Sequence, residues 1–174
     1  ASNLGAVLAQ RGDWAAAEPL LRKAADAGNA TAVSTLGALL AQRGDWAAAE
    51  PWLRKAADAG DVTAASNLGA VLAQRGDWKE GEPWLRKAAD AGDATAVSTL
   101  GALLAQRGDW AAAEPWLRKA ANAGDAIAAS NLGAVLAQRG DWAAAEPLLR
   151  KAADAGNATA VHNLDALLAY RKME

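Results

Sequence analysis

The side chains that could do chemistry in this sequence are one histidine, 20 carboxylates and 18 basic groups, and there is no cysteine. General acid–base catalysis needs two groups in unequal environments, whereas these carboxylates recur at regular intervals. His162 has no evident partners with which to bind a metal or activate a nucleophile. The chain lacks a thiolate and a phosphate-binding glycine motif. We therefore predict that the protein is not an enzyme and uses no cofactor or metal.

The tripeptide Arg-Gly-Asp occurs five times and is followed by tryptophan each time. Its copies are Arg11-Gly12-Asp13, Arg43-Gly44-Asp45, Arg75-Gly76-Asp77, Arg107-Gly108-Asp109 and Arg139-Gly140-Asp141. It resembles the cell-adhesion motif that integrins read. Glycine also ends helices in the left-handed conformation, and aspartate caps the helix that follows. We favour this structural interpretation and keep adhesion display as an alternative.

Charge and hydropathy argue against two classes of partner. The basic and acidic residues are interleaved and give a net charge of −2. No basic stripe is available to neutralise phosphates, so we expect no nucleic-acid partner. No run of about 18 apolar residues exists, so we expect no membrane partner. No charged-then-apolar leader is present, and a cytoplasmic location is expected.

A repeat of 32 residues runs through the chain. Leu-Gly recurs at that step from Leu4-Gly5 to Leu132-Gly133, and a sixth copy reads Leu164-Asp165. Residues 2–33 and 130–161 are identical, which fits either recent tandem duplication or deliberate design. We place one solenoid domain at 1–174. Its repeats are approximately 1–28, 29–60, 61–92, 93–124 and 125–156, with a C-terminal capping helix at 157–174.

The central repeat has the pattern of two helices. From Val62 to Arg75, apolar residues follow the i, i+3, i+4, i+7 spacing of one helical face. Asp61 can cap this helix, and Gly76 can end it in the left-handed conformation. Asp77 then caps a second helix that runs roughly from Trp78 to Ala91. Six first helices and five second helices make about eleven helices in all.

A proline lies inside each predicted second helix. Pro83 removes one backbone hydrogen bond and crowds the carbonyl four residues earlier. Because it lies in the second turn, a bend is favoured over a break. We predict such a bend in all five second helices.

The repeat resembles two helix–turn–helix families. Leu68-Gly69, Leu72, Gly76-Asp77, Trp78, Gly81, Leu85 and Ala88 match the order and spacing of the tetratricopeptide repeat. Trp84, Lys87-Ala88-Ala89, Gly92, Ala96 and Leu100-Gly101 resemble the Sel-like repeat. The resemblance implies an all-α, right-handed α-solenoid in which each repeat packs on its neighbours. The link to the next repeat is two residues shorter than the 34-residue tetratricopeptide period allows.

The same resemblance implies a function as a protein- or peptide-binding scaffold. First helices in both families line a concave groove for peptides or partner proteins. The residues that would line it here are Thr31, Ser34, Thr35, Gln42, Thr63, Ser66, Asn67, Gln74, Thr95, Ser98, Thr99, Gln106, Ser130, Asn131 and Gln138. Such small neutral residues disfavour capture of a peptide carboxylate, for which the family uses Lys, Arg and Asn. A structural or designed array with no natural ligand is the alternative.

Two further features leave alternatives open. Trp52, Trp84 and Trp116 form a second aromatic row, which either packs between second helices or anchors a partner as an exposed stripe. The first helix begins at Ala1 without a cap, and uncapped repeat ends tend to associate. We expect contacts between copies, such as a homo-oligomer through the N-terminal end, or a longer parent array.

Overall fold

The computed structural model describes the backbone of residues 2–171 and the side chains of residues 4–170. This part of the chain contains eleven helices and no strand. They are α1 (Ser2–Gln10), α2 (Trp14–Asp26), α3 (Ala30–Gln42), α4 (Trp46–Asp58), α5 (Val62–Gln74), α6 (Trp78–Asp90), α7 (Ala94–Gln106), α8 (Trp110–Asn122), α9 (Ala126–Gln138), α10 (Trp142–Asp154) and α11 (Ala158–Arg171). The predicted all-α fold is confirmed, with odd-numbered first helices and even-numbered second helices. None of the eleven is long and apolar enough to cross a membrane.

The links between helices explain the length of the repeat. After α5, the Asp77 N–H donates to the Leu72 carbonyl at 2.8 Å, and the Gly76 N–H donates to the Ala73 carbonyl at 3.1 Å. Gly76 has a φ of 89°, and these two bonds define a Schellman motif. The link after α6 is closed by the same pair of bonds. Helices of 13 residues separated by three-residue links therefore account for the 32-residue period.

The predicted helix caps are confirmed with one difference. Asp61 accepts the Ala64 N–H at 2.9 Å and caps α5. Asp77 stands at the start of α6, but its side chain makes no capping hydrogen bond. Its carboxylate instead lies 3.6 Å from the Arg75 guanidinium.

Glycine lets each first helix approach its second helix closely. A Cβ atom at Gly69 would stand 2.6 Å from Leu85 Cγ and 2.9 Å from the Gly81 carbonyl oxygen. Leu85 is fully buried, so the two helices pack through this contact. Asp165 takes the equivalent place in α11, where no second helix follows among the described residues, and its side chain is exposed.

The prolines lie inside uninterrupted helices. Pro83 is the sixth residue of α6, and the helix continues to Asp90. The proline ring is exposed, so it does not disturb the packed face. The helix is therefore not broken, as expected, and the bend at this position stays a prediction.

The chain divides into two compact units, Ala1–Ala96 and Val97–Glu174. Each unit buries leucines of its own, such as Leu53 and Leu68 in the first and Leu117 and Leu132 in the second. In the first unit, Leu4 of α1 is 57% exposed, whereas Leu36 at the same place in α3 is fully buried. Ala1, at the end predicted to self-associate, and residues 172–174 of the predicted capping helix lie outside the described residues. A single domain and self-association stay predictions.

Candidate functional site

The structure places the fifteen predicted groove residues at three depths on the first helices. The exposed ones are Thr31, Gln42, Thr63, Gln74, Thr95, Gln106 and Gln138. The half-buried ones are Ser34, Thr35, Asn67, Ser98, Thr99 and Asn131, and the buried ones are Ser66 and Ser130. We call the surface formed in each unit by the exposed and half-buried members the first-helix face.

Serines of this set hold the next repeat in place. The Ser34 hydroxyl donates to the Asp61 carboxylate, and the Ser66 hydroxyl donates to Asp93 at 2.9 Å. Asp93 also accepts the Ala96 N–H at 2.7 Å. Each of these carboxylates therefore caps its own helix and fixes the preceding first helix, which removes Ser66 from the candidate binding surface.

In the second unit, Asp125 accepts a hydrogen bond from Ser98 in the same way. The equivalent serine of the next repeat, Ser130, makes no such bond. Burial raises the pKa of Asp125, but hydrogen bonds from the Ser98 hydroxyl and from two backbone N–H groups outweigh it, so the pKa lies below its ordinary value. The next cap along the chain is Asn157, not an aspartate. The buried Ser130 hydroxyl has no hydrogen-bond partner in the described part of the chain.

A cavity of about 750 Å³ opens on the first-helix face of the first unit, between α1 and α3. Thr31, Thr35 and Gln42 of the predicted set line it. The other lining residues are Ala6, Ala9, Gln10, Arg11, Gly12, Trp14, Ala38 and Leu39. Arg11 is the one charged residue among them, so the cavity offers small apolar groups, hydroxyls, amides and an indole.

The second unit has an equivalent cavity of about 290 Å³ between α9 and α11. Most of its lining lies four repeats after the matching residue of the first cavity, at Ala134, Ala137, Gln138, Trp142, Ala166 and Leu167. Asn163 and Tyr170 also line it, at the places of Thr35 and Gln42. The Tyr170 ring stacks on Trp142 with centroids 5.0 Å apart and planes inclined by 27°.

The tryptophans that begin the second helices are site residues that the repeat pattern did not reveal. The pattern puts Trp78 on the packing face of α6. In the structure Trp14 and Trp142 are half-buried, and each shares a cavity with first-helix residues. The available signal was a tryptophan directly after the same link in every repeat.

The arginine and aspartate side chains of the Arg-Gly-Asp tripeptides make contacts within the fold. Arg43 donates to Glu18 at 2.6 Å, and Arg139 donates to Glu114 at 2.6 Å. Each arginine thus ties its repeat to the preceding second helix. Asp45 caps α4 by accepting a backbone N–H at 3.3 Å. These contacts favour the structural interpretation of the tripeptide over adhesion display.

The glutamates in these contacts are held in the charged form. The hydrogen bond from Arg54 lowers the pKa of Glu50 most; burial opposes it, and a second hydrogen bond from Arg75 adds to the lowering. Glu18 and Glu114 have lowered pKa values for the same reasons, with the equivalent arginines. A ladder of arginine–glutamate pairs therefore joins successive repeats within each unit.

The second aromatic row is neither fully buried nor fully exposed. Trp52, Trp84 and Trp116 are half-buried. The Nζ atoms of Lys55, Lys87 and Lys119 lie 5.9, 5.2 and 5.6 Å from the respective ring centroids. A lysine therefore lies over each indole at cation–π distance.

The described residues contain no group of three or more His, Asp or Glu side chains that could hold a metal ion. His162 is exposed on α11. The two cavities on the first-helix face are lined by equivalent residues four repeats apart and include members of the predicted groove, so they are the best candidate for a functional site.

Three family profiles, each described as a tetratricopeptide repeat, match the sequence. One matches residues 3–62, one matches residues 126–159, and one matches residues 62–87 and 94–119. Together these ranges span most of the chain. No curated protein matches it in sequence.

Solved structures share the fold. YrrB, described as a TPR protein with an unusual peptide-binding site, is 25% identical, with a TM-score of 0.74 over 92% of this chain and 88% of its own. A protective antigen of uropathogenic Escherichia coli strains, which displays an SLR fold, is 28% identical, with a TM-score of 0.77 over 97% of this chain and 41% of its own. MamA, at 21% identity, has a TM-score of 0.74 over 86% of this chain and 92% of its own.

Proposed function

The chain belongs to the tetratricopeptide repeat family, and from this premise we propose that it is a scaffold that binds a peptide or protein segment along its first-helix face. Repeat arrays bind through extended surfaces built from equivalent elements of successive repeats. YrrB, 25% identical to this chain, is described as having a peptide-binding site, which supports the proposal.

The observation that carries the proposal is the recurrence of one cavity in equivalent repeats. Each cavity lies between two first helices and includes the tryptophan that begins the intervening second helix. Small alanine side chains leave the space open. A segment that crosses α1 and α3, or α9 and α11, would therefore meet a similar set of groups in either unit.

The lining favours a neutral, extended segment. Hydroxyl and amide groups such as those of Thr31 and Gln42 can hydrogen-bond with peptide N–H and carbonyl groups. Packed helices are about 8–10 Å apart, and an extended chain rises about 3.3 Å per residue. About three residues of ligand would therefore span each repeat.

The test is selection of a displayed library of 12-residue peptides against the immobilised protein. Thr35→Lys places a charge in the cavity of the first unit. Ala47→Lys is the matched control, because Ala47 is exposed on α4 and the next repeat already carries Lys79 at that place. Selected peptides are expected to bind Thr35→Lys at least about tenfold more weakly, because the charge must be desolvated, and to bind Ala47→Lys as tightly as the parent.

Peptides that bind these two variants and an Asn163→Lys variant, which carries the charge in the cavity of the second unit, equally well would place the binding site outside both cavities and overturn the proposal. A folded, monodisperse protein that enriches no peptide would also count against it and would favour an array whose role is its shape.

A further inference from the structure

Tyr170 places an aromatic ring in one of the two cavities. At the same place the five preceding first helices carry glutamine, namely Gln10, Gln42, Gln74, Gln106 and Gln138. The Tyr170 ring lies over Trp142 with a centroid separation of 5.0 Å, and its side chain remains 48% exposed. The volume left there is about 290 Å³, whereas the cavity beside Trp14, where Gln42 stands, measures about 750 Å³.

We propose that the cavity beside Trp14 is a subsite for an uncharged aromatic side chain of the bound segment, and that Tyr170 occupies the equivalent subsite from within the chain. The proposal rests on the proposed function and names the chemistry of its ligand. Two rings attract each other in an offset stack when their centroids are 4.5–7 Å apart. The Tyr170–Trp142 pair meets this condition, so the helix spacing at this place admits a second ring.

The walls of the first cavity suit a ring better than an aliphatic chain. Ala6, Ala9 and Ala38 contribute only methyl groups, which leave room for a bulky apolar side chain. Trp14 lines this cavity as Trp142 lines the other, so a bound ring could stack on it. Arg11 also lines the cavity and could place its cation over the face of such a ring. An aliphatic side chain would gain the apolar contact alone.

Two single variants, Gln42→Tyr and Tyr170→Gln, form a matched pair because each gives one subsite the residue type found at the other. Gln42→Tyr is expected to close the first subsite, as Tyr170 closes the last. Tyr170→Gln is expected to open the last subsite, and it restores the residue that the five preceding first helices carry, so the fold is preserved.

The measurement is NMR of the indole N–H signals of the full chain, with Trp14→Phe and Trp142→Phe used to assign them. The probes are N-acetyl-tyrosinamide and N-acetyl-leucinamide. In the parent, the Trp14 signal is expected to shift with the tyrosine probe at about fivefold lower concentration than with the leucine probe. The Trp142 signal is expected to respond only in Tyr170→Gln, and the Trp14 signal to stop responding in Gln42→Tyr.

Equal response of Trp14 to both probes would overturn the preference for a ring. So would a Trp142 signal that responds equally in the parent and in Tyr170→Gln. Library peptides that depend on Thr35 but lack aromatic residues would overturn the ring subsite and leave the proposed function standing. If the tyrosine probe binds at Trp14 but the library yields no peptide, the ring subsite would stand and the proposed function would be overturned.

Discussion

Gly69 matters at the scale of single residues because of what it touches, not because of its backbone angles. It lies inside α5, where glycine costs about 1 kcal/mol relative to alanine. The place that a Cβ atom would take is already filled by Leu85 and by the backbone of α6. The close contact of the two helices therefore compensates for the poor helix propensity.

Gly69→Ala is expected to destabilise the protein by about 1–3 kcal/mol, because the added methyl group forces two packed helices apart. Guanidinium-induced unfolding followed by circular dichroism measures the change.

Asp165→Ala is the matched control, because the equivalent place in α11 is exposed and faces no second helix among the described residues. It is expected to change the stability by about 0.5 kcal/mol or less. Similar losses in the two variants would mean that the contact with Leu85 is not the reason for the glycine.

Residue types alone predicted the left-handed glycine at Gly76 and the cap at Asp61, because both depend on immediate neighbours in the chain. They did not predict the role of Ser66, whose partner Asp93 lies 27 residues away. They also did not predict that the Asp77 side chain makes no capping hydrogen bond, since the same tripeptide caps α4 through Asp45.

At the scale of helices, the serine–aspartate bond joins a first helix to the start of the next one. Ser66→Ala removes a hydrogen bond to a partly buried carboxylate and is expected to cost about 1–2 kcal/mol. Thermal unfolding measures the loss.

Ser130→Ala is the comparison, because this hydroxyl is buried and has no hydrogen-bond partner in the described residues. It is expected to leave the stability unchanged or to raise it, since no hydrogen bond is lost and a buried polar group is removed. Equal losses in both variants would show that the serine hydroxyls do not act through the caps.

The arginine–glutamate ladder predicts how stability depends on pH. The folded pKa of Glu50 lies below its ordinary value of 4.5, so the unfolded chain binds its proton at higher pH than the folded chain does. Its contribution is therefore complete above about pH 4.5 and is lost as the pH falls through the lower folded value.

Glu50→Gln is expected to flatten this part of the stability curve, as measured by urea unfolding between neutral and acidic pH. In 1 M salt the parent and the variant should differ less, since exposed charges are screened. A variant that keeps the full acid-induced loss would show that Glu50 does not contribute to it.

Helix bounds were predicted to within about one residue, because every link carries the same glycine followed by Asp or Asn. The course of α6 through Pro83 also agreed with the expectation of an unbroken helix. The contacts between second helices and the following arginines were not predicted, since Arg43 and Glu18 are brought together only by packing of whole repeats.

At the scale of the whole molecule, stability should grow with the number of repeats, because each one packs only on its neighbours. A second copy of residues 61–92 inserted after Gly92 begins with Asp61, so it supplies an acceptor for the Ser66 hydroxyl. The lengthened array is expected to unfold at higher denaturant concentration and with a steeper dependence on it, because more surface is exposed.

Denaturant unfolding of the two arrays by circular dichroism makes the comparison. An unchanged midpoint would mean that the added copy does not pack on its neighbours.

The repeat period led directly to the family and the fold, whereas the candidate site was predicted only in part. Thr31, Thr35 and Gln42 do line a cavity, but its volume and the part of Trp14 in it depend on how three helices meet. A linear pattern carries no information on such space between helices.

The double role of the capping carboxylate restricts how blocks of this sequence can be recombined. When a 32-residue block begins with aspartate, that carboxylate accepts a hydrogen bond from the serine of the preceding block. This holds at Asp61, Asp93 and Asp125. A block that begins with asparagine, as at Asn157, leaves the upstream Ser130 unsatisfied. Shuffled libraries built from these blocks should therefore be biased by the order of blocks as well as by their composition, with aspartate-first blocks favoured at internal junctions.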